Sequence, residues 1–264
     1  MSKFIAAMDH SGGSTGGVLD RYGCEYIEEN KMDLVHEMRL RMVNSPDFKK
    51  QNIWAAILYK DTVERGMVAI LKKKGIESYL KIDSGCEGNG YMKYFRVHDM
   101  IEFAKENGCT GTKMRSIVKN VKDLSMICDQ QFALAETIHK EGLMPIVEPE
   151  IPIEHPDKEF YEYKLRDELT KRLDTFKGRC ILKLTLPEQN NFYSDIMEHT
   201  HVERVVGLSG GYTTVEACNR LALQENMTAS FSRALSEGLL VSQSDEEFNN
   251  KISSNIKTII RACR

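Results

Sequence analysis

The chain has 264 residues, of which 41% are hydrophobic and 28% charged, and its formal net charge is −3. This size and composition are typical of a globular enzyme and fit the ~250 residues of a single (β/α)8 barrel. The slightly acidic balance argues against a protein that binds nucleic acid or an anionic membrane surface through a basic field.

Three kinds of segment are missing from the sequence. Its first residues lack the apolar core of a signal peptide. No apolar run approaches the ~20 residues that a membrane helix needs. The seven cysteines contain no CxxC pair, which argues against a disulfide framework or a zinc site. We therefore expect a cytoplasmic protein with no metal.

Eight short runs rich in Ile, Val and Leu predict β-strands, and segments with helical spacing separate them. Alternating strands and helices indicate a parallel sheet in an α/β fold. The alternation fits a closed barrel or an open doubly wound sheet, but polar residues at the ends of many strands favour a single (β/α)8 TIM barrel over residues 1–264. In chain order the runs are FIAAMD (4–9), IWAAILY (53–59), SYLKID (78–83), GTKMR (111–115), LMPIVEPE (143–150), CILKLTLP (180–187), RVVGLSGG (204–211) and TASFSRAL (228–235).

Helices are predicted most clearly over 123–142 and after residue 245, where apolar residues recur about once per turn. Gly75, Gly108 and Gly142 each follow a helical segment directly, at the position where a left-handed residue commonly ends a helix.

The sixth run, CILKLTLP, contains a lysine inside an apolar strand. Side chains alternate along a strand, so Leu182, Leu184 and Leu186 share one face, toward the helices. Lys183 shares the other face, toward the barrel interior. A lysine is almost never fully buried without a partner or a task, so Lys183 is a candidate functional residue.

Charged side chains, Lys183 among them, stand late in several strands, at the end where (β/α)8 barrels carry their active sites. Taken singly, each fits a salt-bridged rim residue, and their convergence on one mouth is what favours a site. Five of them are cations and three are anions, which gives a local charge of +2 and favours an anionic substrate such as a phosphate ester. They are Asp9, Lys81, Lys113, Arg115, Glu148, Glu150, Lys183 and Arg233.

Glycines after the seventh strand indicate where a phosphate would bind. The loops after strands 7 and 8 are the frequent phosphate site of these barrels. Gly210 and Gly211 let backbone N–H groups approach an anion without a Cβ in the way, and Arg233 could add a bidentate contact. Taken alone, the SGG sequence also fits an ordinary turn that binds no phosphate.

The chemistry open to Lys183 follows from its surroundings. Burial and nearby cations, here Lys113, Arg115 and Lys81, favour a neutral, nucleophilic amine. Such an amine forms a Schiff base with a ketone or aldehyde, which serves as an electron sink for breaking an adjacent C–C bond. Glu148 is of the right type to move the protons of Schiff-base formation, and Asp9 or Glu150 could act near the bond that breaks.

Seven stretches, in the order of the chain, resemble class I fructose-1,6-bisphosphate aldolase, and most closely its shorter bacterial-type branch. They are FIAAMDHSGGSTGGVLDRYG, YLKID, GTKMRS, LMPIVEPEI, LKLTLP, VVGLSGGY and SFSRAL. The resemblance implies a (β/α)8 barrel and a metal-free, reversible cleavage of fructose 1,6-bisphosphate to dihydroxyacetone phosphate and glyceraldehyde 3-phosphate.

The resemblance also implies roles for individual residues. Lys183 would form the Schiff base, Glu148 would be the main acid and base, supported by Glu150, and Asp9 would assist C–C cleavage. Lys113 and Arg115 would lie near the Schiff base and the sugar hydroxyls, and Lys81 would line the same site. The C1 phosphate would be held by Ser209, Gly210, Gly211 and Arg233, and Arg21, taken to open the first helical region, is a weaker candidate for the other phosphate. Ser232 is a further candidate substrate-binding residue.

The sequence departs from the family pattern at four places. His10 follows Asp9 where Glu or Gln would be expected. The segments before and after the third strand are short, so substrate preference stays open. The chain ends at Arg264, without the terminal tyrosine of the animal-type branch, so exchange of the dihydroxyacetone-phosphate proton would use another group or be slower.

Three other functions are weighed against this one. A metal-dependent aldolase would need histidines at the mouth, but His199 and His201 fall before the seventh strand, at the opposite end. A non-catalytic sugar-phosphate-binding barrel is disfavoured by the complete set of site residues. A Schiff-base aldolase for fructose 1-phosphate or tagatose 1,6-bisphosphate stays open. The partner is thus a phosphorylated ketose, and a homo-oligomer is compatible with the sequence.

Overall fold

The computed structural model describes residues 3–263, apart from the side chains of residues 13 and 14. Its eight strands form one parallel sheet in the order of the chain. They are β1 (Phe4–Met8), β2 (Ile53–Leu58), β3 (Glu77–Lys81), β4 (Gly111–Ile117), β5 (Met144–Glu150), β6 (Cys180–Thr185), β7 (Val202–Leu208) and β8 (Thr228–Ala229).

The sheet curls into a nearly closed barrel, as the sequence predicts. Seven of the junctions are strand pairs, from β1 with β2 to β7 with β8. At the eighth, the Ala7 N–H donates to the Phe231 carbonyl at 3.3 Å, just beyond the end of β8. This junction brings the segment after β8 beside the end of β1, so residues from the two can share a site.

Helices connect the strands and cover the barrel. They are α1 (Gly13–Tyr22), α2 (Lys31–Asn44), α3 (Lys60–Glu64), α4 (Met67–Lys73), α5 (Val97–Glu106), α6 (Leu124–Lys140), α7 (Lys158–Leu173), α8 (Ser194–Met197), α9 (Thr214–Leu221), α10 (Arg233–Ser236) and α11 (Asp245–Ala262). The two most clearly predicted helices are α6 and α11. Gly75, Gly108 and Gly142 follow α4, α5 and α6 with φ of +69°, +73° and +82°, so the predicted helix ends are confirmed.

The alternation predicted for β6 is confirmed by two separate apolar clusters. Leu182, Leu184 and Leu186 belong to the large core between the barrel and its helices. Ile181 belongs to a small cluster inside the barrel, with residues such as Ile146 and Val206 from neighbouring strands. Lys183 follows Ile181 by two residues, so its side chain lies on the same inner face of the barrel, nearer the carboxyl ends of the strands.

The eighth strand is shorter than its sequence run. β-Structure covers only Thr228 and Ala229, and the last part of TASFSRAL forms the short helix α10. The Ser230 N–H still donates to the Gly207 carbonyl at 2.8 Å, after which the chain leaves the sheet. The alternation test therefore does not apply to Arg233, which lies at a helix start.

Among residues 3–263, no helix combines the length and the apolar character needed to cross a bilayer.

Candidate active site

A cavity of about 520 Å³ opens at the carboxyl ends of the strands. Every strand except β2 contributes a residue at or just beyond its end. Twelve of the thirteen site residues named from the sequence line it: Asp9, Lys81, Lys113, Arg115, Glu148, Glu150, Lys183, Ser209, Gly210, Gly211, Ser232 and Arg233. Residues from seven strand ends thus meet in one cavity.

Four charged side chains form a continuous chain of contacts at the bottom of the cavity. Lys183 Nζ lies 3.2 Å from Glu148 Oε1. The other oxygen of that carboxylate, Oε2, lies 2.9 Å from Lys113 Nζ. Lys113 Nζ in turn lies 2.8 Å from Asp9 Oδ2. Glu148 therefore bridges the two lysines, and Lys113 bridges the two carboxylates.

These contacts set the charge states of Asp9 and Lys113. Burial alone would raise the pKa of the Asp9 carboxyl, but the positive charges of Lys113 and Lys183 hold it well below its ordinary value. Burial alone would lower the pKa of the Lys113 ammonium, but Asp9 and Glu148 hold it well above its ordinary value. Both groups are ionised at neutral pH.

The surroundings of Lys183 differ from the cationic environment expected from the sequence. Its direct ionic contact is the Glu148 carboxylate. Arg115 is turned to Glu150, with Nε 2.6 Å from Oε2. The reason is that neighbouring strand ends supply carboxylates as well as cations, and their pairing depends on distances across the barrel. The Lys183 amine is therefore in direct contact with a proton acceptor, Glu148, and is not surrounded by cations alone.

Asp83 is a site residue that the sequence reasoning left out. Lys81 Nζ lies 2.8 Å from Asp83 Oδ1, and the Asp83 carboxylate also accepts from the backbone N–H groups of Gly85 and Arg115. Because Asp83 lines the cavity, five cations face four carboxylates, and the predicted local charge of +2 is corrected to +1. Its shared parity with Lys81, two residues earlier, was the available signal.

The remaining positive charge is concentrated at one side of the mouth. Within residues 3–263, Arg233 is the cavity cation that forms no ion pair, and its Nη1 donates to the Gly211 carbonyl at 3.1 Å. Gly210 has φ +56°, and a Cβ built on it would lie 2.8 Å from Ile153 Cγ2. A glycine is therefore required at 210 both for its conformation and for its close packing.

His10 is a second cavity residue that was noted in the sequence only as a departure. Its ring nitrogens lie 3.3 Å (Nδ1) and 3.1 Å (Nε2) from Ser232 Oγ, and its carbonyl accepts from the buried Arg39 at 2.8 Å. Burial lowers the pKa of His10 to about 4; Asp9 opposes this, and the cations Arg39, Arg21 and Lys183 add to it. A neutral imidazole thus joins the segment after β1 to the segment after β8.

Arg21 lies outside the cavity lining. It stands in the last turn of α1 and is exposed, so the expectation that it opens the first helical region is wrong. The reason is that α1 begins soon after β1, at Gly13, and places residue 21 at its far end. Its guanidinium still contributes to the electrostatic environment of His10.

The histidine pair considered as metal ligands lies at the other end of the barrel. The His201 carbonyl accepts from the N–H of Cys180, the first residue of β6, and His199 pairs with Asp174 at 3.3 Å. Among residues 3–263 no group of three or more His, Cys, Asp or Glu side chains is arranged to hold a metal ion.

Comparison with known proteins extends the geometric description. Residues 1–158 match the family model described as fructose-bisphosphate aldolase class-I. Fructose-bisphosphate aldolase class 1 of Clostridium acetobutylicum is 43% identical, over 98% of this chain and 94% of that protein. The protein of the same name from Synechocystis sp. is 44% identical, over 98% and 93%.

Two solved structures share the fold. Fructose-bisphosphate aldolase from Plasmodium falciparum, in complex with TRAP and a small-molecule inhibitor, matches with a TM-score of 0.78 at 19% identity, over 98% of this chain and 90% of that chain. An archaeal fructose 1,6-bisphosphate aldolase matches with a TM-score of 0.61 at 10% identity, over 97% and 93%. At these identities the likeness concerns the barrel fold.

Proposed function

The chain belongs to the class I fructose-bisphosphate aldolase family, and from this premise we propose that Lys183 is the nucleophile with which it reversibly cleaves fructose 1,6-bisphosphate to dihydroxyacetone phosphate and glyceraldehyde 3-phosphate. One observation carries the proposal: the buried Lys183 amine lies 3.2 Å from the Glu148 carboxylate at the bottom of the cavity. A nucleophile and a proton-transfer group are thus within reach of one substrate carbon.

Formation of the Schiff base needs three proton movements. Glu148 takes a proton from the Lys183 ammonium, and the neutral amine attacks the C2 carbonyl. The carbonyl oxygen then gains the proton that the attacking nitrogen loses, which gives a carbinolamine. Glu148 then returns a proton to the departing hydroxyl, which leaves as water and yields the iminium. Lys113, 2.9 Å from the other oxygen of Glu148, stabilises the carboxylate form before the first of these transfers and after the last.

Cleavage of the C3–C4 bond needs a base for the C4 hydroxyl. Asp9 is ionised and lies next to Lys113, so we assign it that role. As it accepts the hydroxyl proton, the C3–C4 electron pair moves into the iminium and forms an enamine, and the aldehyde product leaves. Protonation of the enamine carbon and hydrolysis release the ketone product. Because the iminium accepts the electrons, the steps as written require no metal.

The remaining cavity residues bind the substrate in this proposal. The phosphate on C1 lies against Ser209, Gly210 and Gly211 and pairs with Arg233, whose charge is not taken by a carboxylate within the described chain. Ser232 donates to the same phosphate from its position beside His10. Hydrogen bonds to the sugar hydroxyls come from the paired side chains at the opposite wall, namely Lys81, Arg115 and Glu150.

The second phosphate has a weaker candidate site. Arg21 is exposed and outside the cavity. We therefore expect the C1 phosphate to contribute more to substrate binding than the second phosphate does. Cleavage of fructose 1-phosphate and fructose 1,6-bisphosphate should therefore be compared in the natural protein and in Arg21→Ala. A change in the bisphosphate rate alone would assign Arg21 to the second phosphate, and unchanged rates would remove it from the site.

Substitution of Lys183 tests its role as the nucleophile, and substitution of another lysine at the same end of the barrel serves as the control. Lys183→Met should abolish cleavage while leaving the protein folded. Lys119→Met is the control, because Lys119 lies just beyond β4 and is exposed, with Nζ donating to the Gly88 carbonyl at 2.9 Å. Residual turnover of Lys183→Met within about tenfold of the natural protein would reject the role of Lys183, since loss of a covalent nucleophile costs far more.

A further inference from the structure

A cluster of charged side chains lies behind the loop that carries the proposed phosphate site. We call residues 209–211 the phosphate loop, and Lys158, Glu162, Glu188 and Arg220 the ion cluster. The members of the ion cluster come from α7, from the segment after β6, and from α9. They do not line the catalytic cavity, and the reaction steps above do not use them.

The contacts within the ion cluster converge on Glu188. Lys158 Nζ lies 3.0 Å from Glu188 Oε1, and Arg220 Nη1 lies 3.0 Å from Glu188 Oε2. The Glu188 N–H donates to Glu162 Oε2 at 3.0 Å, and Glu162 also pairs closely with Lys158. Both oxygens and the backbone of Glu188 are therefore held in place, by three different partners.

One side chain joins the ion cluster to the phosphate loop. The Tyr212 hydroxyl donates to Glu188 Oε1 at 3.2 Å, and the Arg220 guanidinium lies 4.3 Å from the Tyr212 ring centroid. Tyr212 directly follows Gly211, and its N–H donates to the Ser209 carbonyl at 2.9 Å, closing the turn. The position of Tyr212 therefore fixes the end of the loop whose N–H groups would face the phosphate.

The phosphate loop is held from its other side by packing. Ile153, in the connection between β5 and α7, lies so close to Gly210 that a Cβ there would be 2.8 Å from its Cγ2. Ile153 is also 3.1 Å from the Cβ position of Gly211 through its Cδ1. The loop thus lies between Ile153 and Tyr212, and movement of either would displace it.

Stability alone gives little reason for such a cluster. Glu162 is 0% exposed and Lys158 is 4% exposed. Burial raises the pKa of Glu162, an effect that Lys158 and the Glu188 N–H only partly offset. Buried ion pairs generally add little to stability compared with apolar residues of similar volume, whereas they can fix a particular geometry. The geometry fixed here is that of the phosphate loop.

We propose that Glu188, held by Lys158 and Arg220, is a positioning residue that acts through Tyr212 to keep the phosphate loop in its anion-binding shape. This inference rests on the proposed function, because it takes residues 209–211 and Arg233 as the phosphate site. In this inference the ion cluster strengthens the binding of the phosphate group and takes no part in the carbonyl chemistry at Lys183.

Tyr212→Phe tests the link with a minimal change. It removes the hydroxyl that Glu188 accepts from and leaves the ring under Arg220. Since the loop loses the hydrogen bond that holds Tyr212, we expect the dissociation constant for inorganic phosphate, measured by calorimetry on the whole protein, to rise about fivefold or more. Borohydride trapping of dihydroxyacetone, which carries no phosphate, should keep its rate.

Tyr163→Phe is the matched control. Tyr163 lies on α7, the helix that begins with Lys158, and within residues 3–263 its hydroxyl makes no hydrogen bond. It should bind inorganic phosphate as the natural protein does. Unchanged phosphate affinity in Tyr212→Phe, or equal losses in phosphate binding and dihydroxyacetone trapping, would overturn the positioning role.

Arg233→Ala separates this inference from the proposed function. If Arg233→Ala weakens phosphate binding and Tyr212→Phe does not, the phosphate site stands and the positioning role fails. If neither variant weakens it, or the natural protein binds no inorganic phosphate, both assignments fail. If both weaken it while trapping of dihydroxyacetone persists, the ion cluster has the role proposed here.

Discussion

Replacing Lys113 by methionine removes the cation between two buried carboxylates. Its Nζ lies 2.8 Å from Asp9 Oδ2 and 2.9 Å from Glu148 Oε2. At an effective dielectric constant near 20, each pair is worth about 6 kcal/mol of Coulomb attraction, most of which desolvation offsets. Breaking a buried pair by removing one partner costs about 3–5 kcal/mol, and we expect Lys113→Met to lose that much at neutral pH.

The loss should depend on pH with a definite sign. The pKa of Asp9 is held below its ordinary value of 3.8, so in the natural protein its contribution to stability is present above pH 3.8 and is lost as the pH falls further. Without Lys113, burial and Lys183 act alone on the Asp9 carboxyl, and its pKa rises. Protonation then relieves the variant as the pH falls from 7 toward 5, so the difference in unfolding free energy narrows.

Urea unfolding at pH 7.5 and pH 5 measures both effects. Lys105→Met is the matched control, because Lys105 pairs with Glu141 at 3.0 Å with both side chains 47% exposed, and exposed pairs contribute less than about 1 kcal/mol. A loss in Lys113→Met no larger than in the control would refute the reasoning, and so would a loss that does not change between the two pH values.

Three further predictions follow from the same site. In the natural protein, the free energy of unfolding should rise from about pH 4 to 6.5, because the pKa of His10 is lowered from 6.5 to about 4 in the folded protein, so that in this range the imidazole binds a proton only in the unfolded chain. His10→Gln should reduce this rise by up to about 3 kcal/mol in urea titrations. The same rise with pH in the variant would contradict a neutral His10 in the folded protein. Gly210→Ala places a Cβ 2.8 Å from Ile153 Cγ2 at φ +56°; it should cost about 1–2 kcal/mol of stability and raise KM more than it lowers kcat, and a normal KM would argue against a phosphate at Gly210. Exhaustive chelation should leave the cleavage rate unchanged, and a loss restored by a divalent metal would contradict the Schiff-base mechanism.

The barrel and most of its mouth follow from local sequence rules. The period of two in CILKLTLP separates Lys183 from the leucines, and the same rule assigns Glu148 and Glu150 to one side of β5. Because parallel strands end at one rim, residues far apart in sequence then meet in one cavity. Local alternation was sufficient for this result because β4 and β5 pair in regular register to their ends, and the register shift between β6 and β7 falls before Lys183.

The pairing of charges could not be obtained this way. Whether Lys183 faces Glu148 or another cation depends on angles and distances around the barrel, which no single strand encodes. The link from Glu188 to Tyr212 similarly joins separate connections beyond β6 and β7. Arg21 was misplaced because the start of α1 lies in a glycine-rich stretch whose first helical residue has no clear signal.

The most direct test of the account is to trap the covalent intermediate and locate it. The protein is treated with dihydroxyacetone phosphate and borohydride, digested, and analysed by mass spectrometry. The account predicts one reduced adduct, on the peptide that contains Lys183, and none in Lys183→Met. An adduct on another lysine, or none in folded and active protein, would contradict the assignment of Lys183 as the Schiff-base nucleophile.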